Sequence, residues 1–145
     1  MSKPFRVGYT TGVFDLFHIG HLTILRRAKE QCDSLIVGVS TDELVEKEKQ
    51  KRPVIPYEER VAIVEAIRYV DVVVPQVNKD KLAAYKRLKF DAMFVGSDWK
   101  GTPQWKRYEQ QLEPYGVKIV YFPRTEGISS TWLTQKINTM LQENE

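Results

Sequence analysis

Residues 12–21, GVFDLFHIGH, hold both histidines of the chain, three positions apart around a glycine. An alternating apolar run at 5–11 precedes them and predicts a first β-strand that ends in turn-like residues. The run at 21–32 follows with apolar residues at helical spacing, namely Leu22, Leu25, Ala28 and Cys32. If this helix begins near Ile19 or Gly20, both histidines lie in its first turn.

Strand and helix patterns alternate along the rest of the chain. Four further apolar runs predict strands at 34–40, 70–75, 91–97 and 117–123. Helical patterns lie at 57–69, 80–88, 103–116 and 129–141. Strands that alternate with helices form parallel sheets through right-handed crossovers. We therefore expect an α/β fold, a Rossmann-like open parallel five-stranded sheet with helices on both faces, as a single domain over residues 1–145.

The composition is typical of a soluble globular protein. Of the 145 residues, 42% are hydrophobic, and the net charge of +3 is too small to indicate a nucleic-acid partner. No run reaches the ~20 apolar residues of a membrane span, and the amino terminus has no signal-peptide core. The single cysteine, Cys32, excludes an intramolecular disulfide and is interpreted as a small buried apolar residue. We expect a cytoplasmic protein without membrane insertion.

Unusual polar residues follow four of the five predicted strands. These loops carry the two histidines, a lysine-rich run at 46–53, Trp99, and Arg124 with a run of hydroxyl residues after it. In parallel sheets, ligands bind beyond the carboxyl ends of the strands. The sequence therefore predicts a single ligand site along this edge.

The two histidines suit a phosphate ligand. A helix start offers free N–H groups and a partial positive charge, and Gly20 leaves room for phosphate oxygens to approach the backbone. His18 and His21 are neighbours on a helix and could donate to the same anion. A metal pair or two structural histidines are the alternatives, but a zinc site needs three or four ligands and the chain has no third histidine.

The run PRTEGISST, residues 123–131, offers a similar environment. Arg124 supplies a planar, permanently charged fork for phosphate, and hydroxyls follow at the start of the last helix. The alternative is a surface loop that ends in a helix cap. The charge run EKEKQKRP at 46–53 is either a solvated surface or a mobile basic loop that closes over phosphates. Neither a Ser–His–Asp arrangement nor a Walker-type loop is evident.

Four blocks of sequence together resemble a known family. HIGH at 18–21, STDEL at 40–44, RYVD at 68–71 and RTEGISST at 124–131 resemble the cytidylyltransferases of the HxGH nucleotidyltransferase superfamily. That superfamily also includes the class I aminoacyl-tRNA synthetases, which are much longer. The uninterrupted RTEGIS is most similar to the bacterial glycerol-3-phosphate cytidylyltransferases.

The resemblance implies a reaction and its partners. CTP and sn-glycerol 3-phosphate would give CDP-glycerol and pyrophosphate by in-line attack on the α-phosphate, with Mg²⁺ accompanying CTP. It also implies a homodimer whose product feeds teichoic acid, capsule or another surface polymer. The alternatives are a different phosphorylated alcohol, a related adenylyltransferase that uses ATP, or a nucleotide-binding sensor without catalysis.

The resemblance also assigns roles to individual residues. The catalytic residues would be His18, His21, Lys49, Lys51 and Arg124, with Lys47 left open as a loop lysine. The nucleotide-binding residues would be Thr11, Gly12, Val13, Phe14, Gly20, Arg124, Thr125, Ile128, Ser129, Ser130 and Thr131. The vicinity of the acceptor or the cytidine would include Lys49, Arg68, Asp98 and Trp99. Val13 stands where the family often has threonine, and Asp15 would hold either the loop or the metal.

Overall fold

The computed structural model describes residues 3–123 and 130–143, with the backbone alone at 130–133. Within them, five strands form one parallel sheet in the order β3-β2-β1-β4-β5, which confirms the predicted fold. The strands are β1 Phe5–Gly12, β2 Cys32–Ser40, β3 Val72–Gln76, β4 Ala92–Gly96 and β5 Lys118–Phe122. The α-helices are α1 Ile19–Gln31, α2 Asp42–Lys49, α3 Tyr57–Glu65, α4 Lys81–Leu88, α5 Pro103–Leu112 and α6 Ser130–Glu143.

The central strand β1 lies where the direction of winding reverses. The chain runs outward from β1 to β2 and β3, then crosses to β4 on the other side of β1. With right-handed crossovers this reversal puts α1 and α3 on one face of the sheet and α4 and α5 on the other. A crevice opens at the carboxyl end of β1, which is where such sheets bind ligands.

Each face of the sheet has its own apolar core. On the first face, Leu25 of α1 and Val64 of α3 are fully buried in one cluster with Phe94. On the second, Ala84 of α4 and Trp105 of α5 pack in a separate cluster that includes Tyr9, Phe90 and Met93. These two cores fix the sheet between its helices and hold the strand ends rigid beneath the crevice.

Of the two alternatives for the lysine-rich run, the loop was wrong for 46–49, because these residues belong to the helix α2. Residues 46–52 are exposed, in agreement with a solvated surface. Thr41 caps this helix by accepting a hydrogen bond from the Leu44 N–H, and acidic residues occupy its first turn and lysines its last. Leu44 and Val45 are buried and hold the helix on the body of the protein. Only the stretch after Lys49 continues as a loop toward α3.

Two further boundaries differ from the prediction. Cys32 opens β2 instead of closing α1, although it is fully buried as expected. Helix α3 ends at Glu65, four residues before the predicted end at 69. Among the described residues, no helix is both long and apolar enough to cross a membrane.

Candidate active site

Two neighbouring cavities open at the carboxyl end of β1. The larger, here called the histidine cavity, has a volume of about 590 Å³ and includes His21 and Asp15 in its lining. The smaller, here called the Lys81 cavity, has a volume of about 390 Å³ and includes Lys81 and Trp99. The two cavities share part of their walls, namely Thr11, Gly12, Val13, Val45 and Lys49.

The sequence predicted both histidines at the start of α1, and the structure shows in addition that they cap this helix, which begins at Ile19. The Gly20 N–H donates to His18 Nδ1 at 3.0 Å, and the His18 N–H donates to His21 Nδ1 at 3.2 Å. The two rings stack with their centroids 3.9 Å apart. Both Nδ1 atoms are therefore occupied in a reciprocal capping box that builds the helix start.

This arrangement sets the tautomer of each imidazole. A neutral ring whose Nδ1 accepts a hydrogen bond carries its proton on Nε2. Burial, and to a lesser extent the neighbouring His18, lower the pKa of His21 to about 4 against the opposing effect of Asp15. Burial also lowers the pKa of His18. At neutral pH the pair is uncharged, and each ring has an Nε2–H donor.

The loop after β1 is held in an unusual conformation. Phe14 and Leu16 both have positive φ angles, of 55° and 49°, although neither is glycine. Such backbone strain is seen most often at functional sites. The Phe14 side chain is buried, and a Cβ added at Gly12 would lie 3.1 Å from its ring. Glycine at position 12 therefore lets the loop fold back tightly over the strand end.

Asp15 connects this loop to the segment after α2. Its two carboxylate oxygens accept hydrogen bonds from the Val54 N–H at 2.8 Å and the Ile55 N–H at 2.9 Å. Of the two roles predicted for Asp15, holding a loop is the one for which these contacts give direct evidence. Among the residues that the structure describes, no group of three or more His, Cys, Asp or Glu side chains could hold a metal ion.

A fully buried arginine, Arg60 of α3, ties the site loops together. Its guanidinium donates to the carbonyl oxygens of Val13, Ser40 and Ile55, and it pairs with Asp42 at 2.7 Å. These contacts join the ends of β1 and β2 to the first residue of α2. The sequence analysis did not single out Arg60, because nothing local distinguishes it from other helical arginines.

The helix at 42–49 separates the three candidate lysines. Lys49 lines both cavities and Lys51 lines the histidine cavity, whereas Lys47 is not part of either lining. Residues two apart on an α-helix point to different sides, so Lys47 and Lys49 cannot share a face. The sequence analysis could not distinguish the three lysines, because in a loop the alternating spacing does not show which side each residue faces.

The Lys81 cavity contains two buried polar groups that the sequence analysis missed. The Lys81 side chain is 3% exposed, and its Nζ donates to Thr11 Oγ1 at 3.3 Å. Gln76 is 5% exposed and ends β3 in the same cavity. Both belong to the run QVNKDK, residues 76–81, which begins at the carboxyl end of the third strand. The position of this polar run after a strand was the sequence feature that could have identified them as site residues.

Trp99, predicted near the acceptor or the cytidine, lies in the Lys81 cavity. It belongs to a short 3₁₀ turn, Ser97–Trp99, directly after β4, and it is 49% exposed. Asp98 precedes it in this turn. The Trp99 carbonyl accepts a hydrogen bond from the Thr102 hydroxyl at 2.8 Å, which fixes the turn against the start of α5.

Arg68 lies away from both cavities within this chain. It precedes β3 and is therefore at the amino-terminal edge of the sheet, opposite the histidines. Its guanidinium lies over the Tyr69 ring and is exposed to solvent. The Asp71 carboxylate binds Lys29 at 2.5 Å and the Leu35 N–H at 2.7 Å. Asp71 therefore has a structural role, in which it joins α1 to β2.

Several predicted nucleotide-binding residues lie outside the described part of the chain. These are Arg124, Thr125, Ile128 and Ser129. Ser130 and Thr131 are described by their backbone alone, at the start of α6. Two later residues of α6, Thr134 and Gln135, line the histidine cavity, so this helix runs beside it.

The arrangement can hold two ligands side by side. The histidine cavity offers the neutral imidazole of His21 and the positive charges of Lys49 and Lys51, which together suit a phosphate chain. The Lys81 cavity offers a smaller polar pocket across a shared wall. A group bound in one cavity could meet a group bound in the other at Thr11–Val13.

Comparison with known proteins agrees with this picture. The family model described as cytidylyltransferase-like matches residues 9–136. The chain is 42% identical over 129 residues to the glycerol-3-phosphate cytidylyltransferase of Bacillus subtilis, covering 88% of this chain and 94% of that one. It is 46% identical over 109 residues to the FAD synthase of Pyrococcus abyssi, covering 74% of this chain and 72% of that one.

Solved structures show the same fold at lower sequence similarity. The lipopolysaccharide core biosynthesis protein of Thermoplasma volcanium superposes with a TM-score of 0.70 at 22% identity, over 86% of this chain and 99% of that one. The pantoate-beta-alanine ligase of Francisella tularensis superposes with a TM-score of 0.60 at 15% identity, over 88% and 62% of the two chains. These structures show the shared fold. The match of the family model to residues 9–136, together with the 42% identity to the Bacillus subtilis enzyme, shows that the chain belongs to the cytidylyltransferase-like family.

Proposed function

We propose that this protein is a glycerol-3-phosphate cytidylyltransferase, which converts CTP and sn-glycerol 3-phosphate to CDP-glycerol and pyrophosphate. The observation that carries the proposal is the pair of neutral histidines at the start of α1, set beside a second polar cavity. The likeness to enzymes of that name over most of both chains supports the choice of substrates.

In this proposal the nucleotide binds in the histidine cavity and the acceptor in the Lys81 cavity. A phosphate oxygen of the acceptor forms a new bond to the α-phosphorus of CTP, and the bond from that phosphorus to the bridging α–β oxygen breaks. Pyrophosphate leaves in line with the attacking oxygen. Thr11, Gly12 and Val13 lie between the two cavities, where the reacting groups would meet.

The residues of the site would act by position and charge, since phosphoryl-type transfer needs little covalent help from the protein. His18 and His21 would donate from Nε2 to the phosphate oxygens on which charge develops. Lys49, which lines both cavities, would contact the phosphates of both substrates, and Lys51 would contact the nucleotide. Arg124 and the hydroxyls of Ser129, Ser130 and Thr131 are proposed to contact the phosphate chain of CTP.

A magnesium ion is proposed to enter with CTP. Mg²⁺ keeps several waters and binds through one or two carboxylates plus substrate phosphates, so it requires no cage made by the protein alone. Asp15 is the carboxylate that lines the histidine cavity, and with the phosphate oxygens it forms a suitable donor set. When bound, the ion would neutralise charge on the triphosphate.

The proposal extends to the assembly, the location and the fate of the product, and the resemblance to the family is its support there. We propose a cytoplasmic homodimer whose CDP-glycerol is consumed by transferases that build a glycerol phosphate surface polymer. Arg68, at the far edge of the sheet in one chain, could contribute to a site only through such an assembly. Gel filtration with light scattering tests the dimer.

Pyrophosphate release with CTP and Mg²⁺, measured with and without sn-glycerol 3-phosphate, tests the function. Rapid release that depends on the acceptor is expected. The FAD synthase relatives favour one other candidate, transfer from ATP, because the product named there contains an adenosine monophosphate group. A kcat/KM for ATP ten times that for CTP would establish that candidate instead. Nucleotide binding without release for any acceptor would indicate a sensor.

A further inference from the structure

The Lys81 side chain is buried and, within the described part of the chain, forms no salt bridge. Its Nζ lies 5.8 Å from the centroid of the Trp105 ring and 6.0 Å from that of Tyr108. Its hydrogen-bond acceptor is the Thr11 hydroxyl, at 3.3 Å. Buried lysines are rare unless they are paired, because removing an ammonium from water is costly. A lysine kept in this place therefore indicates a ligand that completes its contacts.

Gln76 provides a second observation in the same cavity. Among the described residues, its Oε1 is the buried side-chain oxygen without a hydrogen-bond partner. The side chain is 5% exposed, and its residue lines the Lys81 cavity. An unpaired buried acceptor costs about 1–3 kcal/mol, so its presence at a cavity wall indicates a missing donor. A molecule bound in the cavity that Gln76 lines can supply that donor.

The charged groups around Lys81 are few. Lys79 and Glu48 line the same cavity and pair with each other at 3.2 Å. Burial lowers the pKa of Lys81 to about 7, with repulsion from Lys79 adding to the shift and Glu48 opposing it. The Asp80 carboxylate caps α4 by accepting from the Ala83 N–H, and Lys49 is the remaining lysine of the lining.

These features favour one kind of ligand group over another. The Lys81 amine occupies the place near the Trp105 and Tyr108 rings that a cationic tail would need. An ammonium group could donate to Gln76 Oε1, but it has no lone pair with which to accept a hydrogen bond from Lys81. A hydroxyl group satisfies both residues, because it can donate to Gln76 and accept from Lys81.

We infer that Lys81 and Gln76 form the floor of the acceptor pocket and select a phosphorylated acceptor whose tail carries hydroxyl groups over one whose tail carries a cationic amine. The inference rests on the proposed function, which puts the acceptor in the Lys81 cavity. It assigns a role in the choice of acceptor to Gln76, which ends β3, and to Lys81, which begins α4. The phosphate of the acceptor would face the shared wall, and its tail would point toward Lys81.

The test compares acceptors at saturating CTP and Mg²⁺. Wild-type protein, Lys81→Met and Gln76→Leu are assayed with sn-glycerol 3-phosphate, phosphoethanolamine and phosphocholine. Acceptors that do not turn over are measured as competitive inhibitors of sn-glycerol 3-phosphate. Lys86→Met is the matched control, because Lys86 lies on the same helix and is exposed.

We expect Lys81→Met to lower kcat/KM for sn-glycerol 3-phosphate at least tenfold, mainly by raising KM. Binding of the amine-bearing compounds should stay the same or become tighter, so that discrimination falls at least tenfold. Gln76→Leu should act in the same direction, and Lys86→Met should match wild type. An equal loss for all three acceptors would show that Lys81 binds the phosphate, and unchanged discrimination would also overturn the inference.

Failure of the proposed function and failure of this inference give different results in these assays. If wild-type protein shows no acceptor-dependent release, the proposed function fails and this inference fails with it. If wild-type protein uses sn-glycerol 3-phosphate and both variants match it, only this inference fails. CTP affinity and thermal melting of each variant verify folding, and if Lys81→Met does not fold, the result for Gln76→Leu decides.

Discussion

Arg60 binds Asp42 at 2.7 Å with its side chain fully buried, and this pair anchors the first residue of the lysine-bearing helix α2. Burial pushes the pKa of the Asp42 carboxyl up, but hydrogen bonds from Arg60 and the Tyr57 N–H outweigh it, so that the pKa lies below its usual range. The contact holds α2 at its start, while Lys49 at its other end lines both cavities.

Replacing either member of this pair should destabilise the protein strongly. Arg60→Met leaves Asp42 without its main partner, and Asp42→Asn weakens the hold on a buried guanidinium. Each change should lower the free energy of unfolding by about 3–5 kcal/mol, the usual cost of removing one partner of a buried ion pair. Urea denaturation measures it. The exposed pair Arg26–Glu30, 3.9 Å apart, is the control, and Arg26→Met should cost less than about 1 kcal/mol.

Substitution of the histidines should separate their capping role from their catalytic role. His18→Asn keeps a good N-cap but loses the Nε2–H donor, so the melting temperature should stay close to that of wild type. In this variant and in His21→Ala, kcat should fall about a hundredfold or more, comparable to the loss of an oxyanion donor. Turnover near the wild-type value in either variant would contradict the assigned role. Steady-state kinetics and thermal melting are both required.

The titration of His21 should lie well below that of an ordinary histidine. Because burial lowers its pKa to about 4, the folded state binds fewer protons than the unfolded state between about pH 4 and 6.5. Stability should therefore fall as the pH drops through this window, while the His21 ring stays neutral until near its lower end. NMR titration of the two imidazoles, assigned with His18→Asn, measures this. A His21 midpoint between pH 6 and 7 would refute it.

The three lysines near the end of α2 should have unequal importance. Lys49 and Lys51 line the site, so Lys49→Ala and Lys51→Ala should each lower kcat/KM at least tenfold. Lys47 lies in the last turn of the helix but outside both linings, and Lys47→Ala should stay within about twofold of wild type. Equal losses of kcat/KM in all three variants would show that the total positive charge near the site, and not the position of each lysine, determines the activity. The salt dependence of kcat/KM distinguishes these cases.

Burial of Lys81 should cost stability, and the cost should depend on pH. Its pKa falls from 10.5 to about 7 on folding, so between these values the unfolded state binds more protons and stability rises with pH. Lys81→Met removes this cost and should stabilise the protein by about 1–2 kcal/mol at neutral pH. The advantage should shrink as the pH approaches 10. Urea denaturation at several pH values gives both curves, and parallel curves would show that Lys81 does not titrate in this range.

Some features of the site followed directly from local sequence patterns. The strand, loop and helix around residues 12–21 were predicted because apolar periodicity is a local signal. The cap that His18 forms became visible only in the structure. The location of a site at the carboxyl ends of the strands followed from their alternation with helices. The interpretation of 46–53 as a loop was wrong for its first part. The apolar residues that α2 buries, Leu44 and Val45, lie just before this charged run, so the run taken by itself shows no helical pattern.

The sequence by itself determined the order of the strands and of every described α-helix except α2, the parallel sheet, and the placement of His18 and His21 at a helix start. These depend on residues close together in the chain, whose spacing and capping chemistry can be read directly. Only the tertiary structure decided that Lys81 and Gln76 share a cavity with Thr11, and that Arg60 joins three loops to α2. Those relations arise from burial across the sheet, which brings together side chains up to 70 residues apart and removes them from water.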